Sequence, residues 1–303
     1  MQINICLSSD NNYAQHLTVT IASILKNANT DDELFFFIFD GGITSDNKEK
    51  ILKLKEIKHF EIKFILIDSS KLAYLPNHSF HISIATYFRF KIASLLPINI
   101  DKIIYLDCDI IVLKSLSNLF NEDIKDYYIA GVEDIGYYFD RRFLKRETDS
   151  FYINAGVLLI NIAKWREDYI EEKLLSATEN NLLLIHNDQD IINFKLKDKI
   201  KALDLKWNVQ DSFARILGKL HPLKKQIKQA VLNPAIVHYT GAIKPWQSIY
   251  IPFGELYIDY LKLTPFYRSH NMKSKFKMFF EYYYFNLIKR YTNKLLINTK
   301  NKK

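Results

Sequence analysis

The chain has 303 residues, 48% of them hydrophobic, enough for one large core or two smaller ones. Its net charge of +8 is uneven: residues 262–303 hold 11 Lys or Arg against the single acid Glu281, which leaves the rest at −2 and argues against a nucleic-acid surface over the main body. Two cysteines without CxxC spacing exclude a disulfide framework, MQINICLSSDNN has neither a basic start nor a signal-peptide core, and no apolar run reaches the ~18 residues of a spanning helix, so the expected address is the cytosol.

INICLS (3–8) reads as a first strand. The recurrence of Ala14, Leu17, Ile21, Ile24 and Ala28 predicts a helix after it. LFFFIFD (34–40) is a second strand, closed by Gly41-Gly42, and Thr44 or Ser45 can cap a helix carrying Ile51, Leu52 and Leu54. IKFILID (62–68) is a third strand, residues 83–95 are predicted helical, and a strand opens at Lys102. This βαβαβ order implies a doubly wound parallel sheet, whose ligands bind beyond the carboxyl ends of the strands. Asp10 and Asp109 fall at such ends. Further on, DYYIAGVED and FYINAGVLLINI look like strands, 162–180 and 188–197 like helices, and AIVHYTG (235–241) like a late strand.

KIIYLDCDIIVL (102–113) sets Asp107 and Asp109 inside an otherwise apolar strand, with Cys108 between them. Buried carboxylates without a partner are costly. Side chains at i and i+2 of a strand point the same way, so the two converge. A divalent cation is the simplest partner; a pair capping the following turn is the alternative. His238 ends the late strand, where a lone histidine is commonly structural. Two carboxylates and an imidazole nevertheless suit Mn²⁺, with Mg²⁺ as second choice. Asp10, Asn11 and Asn12 either cap the first helix or read a base and ribose by hydrogen bonds. No G-x-G-x-x-G follows the first strand, which counts against an NAD-binding enzyme. Arg89, among apolar residues, needs an anionic or hydroxyl partner; Asp107 and Asp134 are the internal candidates. Asp188 and Asp190 also fit the start of a helix.

SSDNNY (8–13), HISIATYFRFK (81–91), YLDCDIIV (105–112), FYINAGVLLINIAKW (151–165), NDQDIIN (187–193) and HYTGAIKPW (238–246) occur in an order that resembles glycosyltransferase family 8. Within it the chain is most similar to the bacterial lipooligosaccharide and lipopolysaccharide α-galactosyl- and α-glucosyltransferases. The resemblance runs from about residue 3 to 260. It implies an α/β GT-A fold, Rossmann-like, as a catalytic domain over 1–262. It implies a UDP-hexose donor, galactose before glucose, a divalent metal and retention of configuration at the transferred sugar.

By resemblance, Asp107, Asp109 and His238 ligate the ion. Asp10 and Asn12 line the uridine site. Arg89 lies at the donor sugar and diphosphate. Lys244 adds charge at the phosphates, which Gly241 lets the backbone approach. Asp134, Asn154, Asp188 and Gln189 hold sugar hydroxyls, a task suited to acids and amides. Gln189 lies nearest the β face. An amide is a poor nucleophile, so front-face attack is favoured, with Asp190 as the reserve nucleophile. Cys108 stands where the family commonly has a small hydroxyl residue, and should point away from the ion. Residues 135–150 and 205–232 match less well and are expected to form the lid and acceptor side.

Two competing readings remain. One is a metal-dependent phosphatase-type hydrolase, since DCDIIV matches the DxDx(T/V) start, although the chain has no Gly-Asp dipeptide. The other is a catalytically silent sugar-nucleotide-binding protein. The segment 263–303 is basic and aromatic. As a helix it aligns Phe276, Phe280, Tyr283, Leu287, Tyr291 and Leu295, with Lys273, Lys277, Lys289, Arg290 and Lys294 beside them. This suits an interfacial helix on anionic lipid, reached through 273–303. The chain is thus expected peripherally on the inner face of the cytoplasmic membrane, facing a lipid-anchored oligosaccharide acceptor.

Overall fold

The structure is a computed structural model and describes residues 1–67, 84–136, 151–178, 188–216 and 221–269. The segment 273–303, read above as the membrane-facing helix, lies outside the described residues, as does most of 135–150.

Among the described residues ten strands form two sheets: β1 Gln2–Ser9, β2 Glu33–Asp40, β3 Glu61–Leu66, β4 Lys102–Leu106, β5 Ile110–Val112, β6 Ile129–Glu133, β7 Ile153–Asn161, β8 Ile200–Ala202, β9 Val209–Gln210 and β10 Ile236–His238. The larger sheet has the order β3-β2-β1-β4-β7-β6-β8, and the smaller β5-β10-β9. Strands β1 to β4 of the larger sheet run parallel, as the alternating pattern predicts. The expectation of a parallel sheet fails beyond β4. There β7 pairs antiparallel with both β4 and β6. The reason is connectivity: β7 follows β6 without a helical crossover among the described residues, and an antiparallel neighbour needs none.

Alternation along the strands builds a core on each face. Ile3, Ile5, Leu7, Phe36, Ile38, Ile104 and Leu106 share one cluster with the helix Ala14–Asn27. Cys6, Phe37, Phe39, Ile103, Tyr105, Leu158 and Ile160 share the other with Phe88, Phe90, Trp165 and Ile191. Near-continuous apolar strands are what burial on both faces requires.

Other local expectations are refined. Thr44 does cap the helix Ser45–Leu52, accepting from the Asn47 N–H at 3.4 Å. Residues 84–91 are a 3₁₀ helix, and only Ile92–Leu95 are α-helical. The helix expected over 162–180 is two, Ile162–Glu167 and Ile170–Ala177, broken at Tyr169 with φ 51°. The helix expected over 188–197 spans Asp188–Leu196. Among the described residues no helix is long and apolar enough to cross a membrane.

The largest correction is at the D-x-D segment. It is not one strand. β4 ends at Leu106, residues 107–109 bend, and β5 joins the smaller sheet, antiparallel to β10. The bend is held from outside. The Asp107 N–H donates to the Gly156 carbonyl at 2.9 Å. Thr20 on the first helix donates to the Cys108 and Ile110 carbonyls at 3.0 and 2.9 Å. The Val112 N–H donates to Ser23 Oγ at 2.9 Å. The aspartates therefore occupy the joint between the two sheets, beyond the carboxyl ends of β1 and β4.

Candidate active site

The β5–β10 pairing sets His238 opposite Ile110, one residue from Asp109. His238 Nε2 lies 3.2 Å from Asp109 Oδ1 and 3.9 Å from Asp107 Oδ2. One ligand atom from each of Asp107, Asp109 and His238 lies within 4.8 Å of the others, so the three donors converge as the sequence predicts. Cys108 is turned away, its thiol donating to the Ser8 carbonyl at 3.1 Å.

The close approach depends on Gly156, a residue the sequence reading did not single out. A Cβ there would lie 2.2 Å from His238 Cε1 and 2.7 Å from Asp107 Oδ2. Only a residue without a side chain lets β7 run against the convergent donors. The signal was present, as the glycine of NAGV inside an apolar strand.

Charge pairing holds this end of the site. Lys244 Nζ lies 2.8 Å from Asp109 Oδ2 and donates to the Tyr239 carbonyl at 2.5 Å. Burial would raise the Asp109 carboxyl, but Lys244 and then His238 outweigh it and hold the group well below the usual carboxylate range. Burial likewise pulls the His238 imidazole down, and Asp109 more than reverses it. The same balance raises Lys244. Arg89 is 3% exposed, with Nη2 3.0 Å from Asp107 Oδ1 and Nε 2.9 Å from Asp188 Oδ2. It also donates through Nη1 to the Ala155 carbonyl at 2.5 Å. Its internal partners thus include Asp107, one of the two expected, and Asp188, which was not. Burial pushes the Asp188 carboxyl up to about 6, with Arg89 pulling against it.

A second group adjoins the first. Gln189 Oε1 accepts from the Ala155 N–H at 3.0 Å and Asn154 Nδ2 at 3.2 Å. Gln189 Nε2 donates to Asp134 Oδ2 at 3.0 Å and Tyr152 Oη at 3.2 Å. Asn154 Nδ2 also donates to Asp134 Oδ2 at 3.3 Å. Tyr152 donates to Asp190 Oδ1 at 2.7 Å, and burial followed by the Asp190 charge keeps the phenol protonated. Asn193 fastens the helix to β7, accepting from the Ile153 N–H at 2.8 Å and donating to the Ile153 carbonyl at 2.9 Å. Asp188 and Asp190 both lie in the first turn of Asp188–Leu196, as the helix-start reading expects.

The remaining expected residues sit at the rim. Asp10 Oδ1 accepts from the Tyr13 N–H at 3.0 Å in the turn before the first helix, whose N-cap position is Tyr13 and carries no side-chain cap. Asn12 is exposed, and the neighbouring Asn11 accepts from the Thr44 N–H at 3.0 Å. The Gly241 N–H donates to Asp211 Oδ2 at 2.7 Å. A Cβ at Gly241 would meet that oxygen at 2.6 Å, so close approach is its use here. The HYTGAIKPW loop is seated by Trp246, whose ring stacks on His16 at 3.6 Å and meets Tyr13 edge-on at 5.9 Å.

The arrangement, a set of converging carboxylate and imidazole donors beside a hydrogen-bonded shelf built around Gln189, can be compared with known proteins. The family model of glycosyl transferase family 8 matches residues 4–250. General stress protein A of Bacillus subtilis is 32% identical over 270 residues, covering 86% of this chain and 94% of that protein. Lipopolysaccharide 1,3-galactosyltransferase of Salmonella typhimurium is 32% identical over 260 residues, covering 82% and 74%. The crystal structure of the galactosyltransferase LgtC with donor and acceptor sugar analogs superposes with a TM-score of 0.77 at 27% identity, covering 87% of this chain and 96% of that one. The chain belongs to glycosyl transferase family 8 and has the GT-A fold of these sugar transferases.

Proposed function

We propose that this family 8 glycosyltransferase moves a hexose from a UDP-sugar to a lipooligosaccharide or lipopolysaccharide glycan, with retention of the α configuration. The observation that carries this reading is the convergence of Asp107, Asp109 and His238 beside Lys244, facing the Asp134–Asn154–Gln189 shelf. Galactose is the favoured donor sugar and glucose the next, because relatives bear both names. The oxygen and nitrogen donors, and the space that Gly156 leaves for them, fit a divalent ion, Mn²⁺ before Mg²⁺. When bound, such an ion supplies Lewis acidity at a leaving diphosphate.

The chain's own residues supply the rest. Lys244 places a cation beside Asp109, where diphosphate charge would grow as the glycosidic bond breaks. Gly241 keeps the backbone close at the same edge. Asp10 and Asn12, which follow β1, are assigned to the uridine. Asp134, Asn154, Asp188 and Gln189 are assigned to the sugar hydroxyls, with Arg89 holding Asp107 and Asp188 in place from below. Gln189 is held on both sides of its amide, which suits orienting a sugar and not attacking it. Front-face attack therefore remains the preferred course. Asp190 is engaged by Tyr152 and remains the reserve nucleophile.

The protein is proposed to work peripherally at the inner face of the cytoplasmic membrane, where its acceptor is lipid-anchored. A donor screen that reads UDP release, with and without EDTA, tests the central reading. UDP-galactose turnover that needs Mn²⁺ is expected, and full activity in EDTA would remove the metal. The anomeric coupling in the proton NMR spectrum of the product tests retention, and a β-linked product would overturn it.

A further inference from the structure

Asn208 belongs to the stretch expected to serve the lid and acceptor side. The structure puts it elsewhere. It is fully buried just before β9, which pairs with β10 and so runs beside His238. Its side-chain oxygen lies 3.1 Å from His238 Nδ1, and its Nδ2 donates to Asn154 Oδ1 at 2.9 Å. An amide that spends its N–H on Asn154 can only accept from the imidazole, so Nδ1 carries a proton. In the neutral ring the lone pair then sits on Nε2, the atom that faces Asp107 and Asp109. Asn154 continues the chain of bonds to Gln189 and Asp134.

We infer that Asn208 is a positioning residue: it fixes His238 so that Nε2 is the ligating atom, and joins that ligand to the sugar-facing shelf through Asn154. The inference rests on the metal reading above. A partner for the second nitrogen is how metal-bound histidines are commonly oriented, and losing one costs about 10–100-fold in metal affinity. Asn208 contacts no substrate-facing space, so its effect is carried by His238.

The test titrates Mn²⁺ into the full chain, without sugar nucleotide, and follows the free ion by electron paramagnetic resonance. Wild type is expected to bind, and Asp109→Asn to lose binding; wild-type failure would remove the metal reading itself. Asn208→Leu keeps the volume and removes both hydrogen bonds. It is expected to stay folded by circular dichroism and bind Mn²⁺ about 10–100-fold more weakly. Asn208→Asp keeps the acceptor for Nδ1–H and is expected to bind at least as well as wild type. Wild-type affinity in folded Asn208→Leu, or weakened binding in Asn208→Asp, would overturn the inference. Wild-type protein loaded with diamagnetic Zn²⁺, which accepts imidazole nitrogen, gives an arm that needs no variant. Its histidine ¹⁵N shifts should show Nε2 ligated and Nδ1 protonated, and ligation through Nδ1 would overturn the assignment.

Discussion

Opposite charges hold one end of the site and hydrogen bonds centred on a side-chain amide hold the other. Around Asp109, every close contact of the side chain pairs a carboxylate with a cation or an imidazole. Around Gln189, one amide accepts from Ala155 and Asn154 and donates to Asp134 and Tyr152, all directional hydrogen bonds. The difference matters for what each end can do. Charge pairs tolerate exchange of partners, so a divalent ion and a diphosphate can enter where Lys244 and His238 now share Asp109. A saturated amide cluster tolerates little rearrangement, because each lost bond strands a buried polar group. The first end is suited to developing charge and the second to fixing orientation.

Removing the charge at the first end should have the largest effect. Asp109→Asn is nearly isosteric, and it takes away one proposed ligand and the partner of Lys244. Transfer is expected to fall by ~10³-fold, the scale on which charge stabilisation of a leaving group is felt. Steady-state kinetics with UDP-galactose and a Mn²⁺ titration would measure it. Unchanged turnover would dissolve the distinction between the two ends.

Gly156→Ala attacks the same end by shape alone. Its methyl would meet His238 Cε1 at 2.2 Å and Asp107 Oδ2 at 2.7 Å, so β7 or the histidine must move. Overpacking of this kind costs about 1–3 kcal/mol. A lower thermal midpoint together with weaker Mn²⁺ binding is expected. A loss of stability with full metal affinity would show that the strand yields and the ligands do not.

At the amide end, Gln189→Leu strands the Ala155 N–H and removes one hydrogen bond from each of Asp134 and Tyr152. Each stranded buried group costs about 1–3 kcal/mol. Transfer should drop by about 10–100-fold while Mn²⁺ affinity stays at the wild-type value, which is the behaviour that separates the two ends. Parallel loss of both would mean that they act as one unit.

The two ends were not equally legible in the sequence. Asp107 and Asp109 announce themselves because charge inside an apolar run contradicts its surroundings. Thr44 could be read as a cap because capping is local. The split of 102–113 could not be read, because the break is imposed by Thr20, Ser23 and Gly156, all distant in sequence. The antiparallel β7 was hidden for a related reason. A strand buried on both faces looks the same whichever way its neighbours run. Asn208 carried no signal at all, since a single asparagine in a loop has many uses and only the β9–β10 pairing reveals this one. At the amide end the residue types were readable and their mutual bonds were not.

The smallest catalytic effect is expected from a part of the chain remote from both ends. Thr264 and Phe266 are buried, and Lys50 lies over the Phe266 ring at 5.0 Å, so the packed body extends past the proposed boundary at residue 262. A chain ending at Ser269 keeps those contacts and drops the 34 residues that follow, nine of them Lys or Arg, including Lys273, Lys277, Lys289, Arg290 and Lys294. Donor turnover with a soluble acceptor should therefore match that of the full chain. Attachment to anionic liposomes should not, because each Lys or Arg near such a surface contributes about 1 kcal/mol. Sedimentation at low salt compares the two chains directly. Equal sedimentation would place any membrane contact on the folded body, and failure of the full chain to sediment would leave 273–303 without a lipid partner.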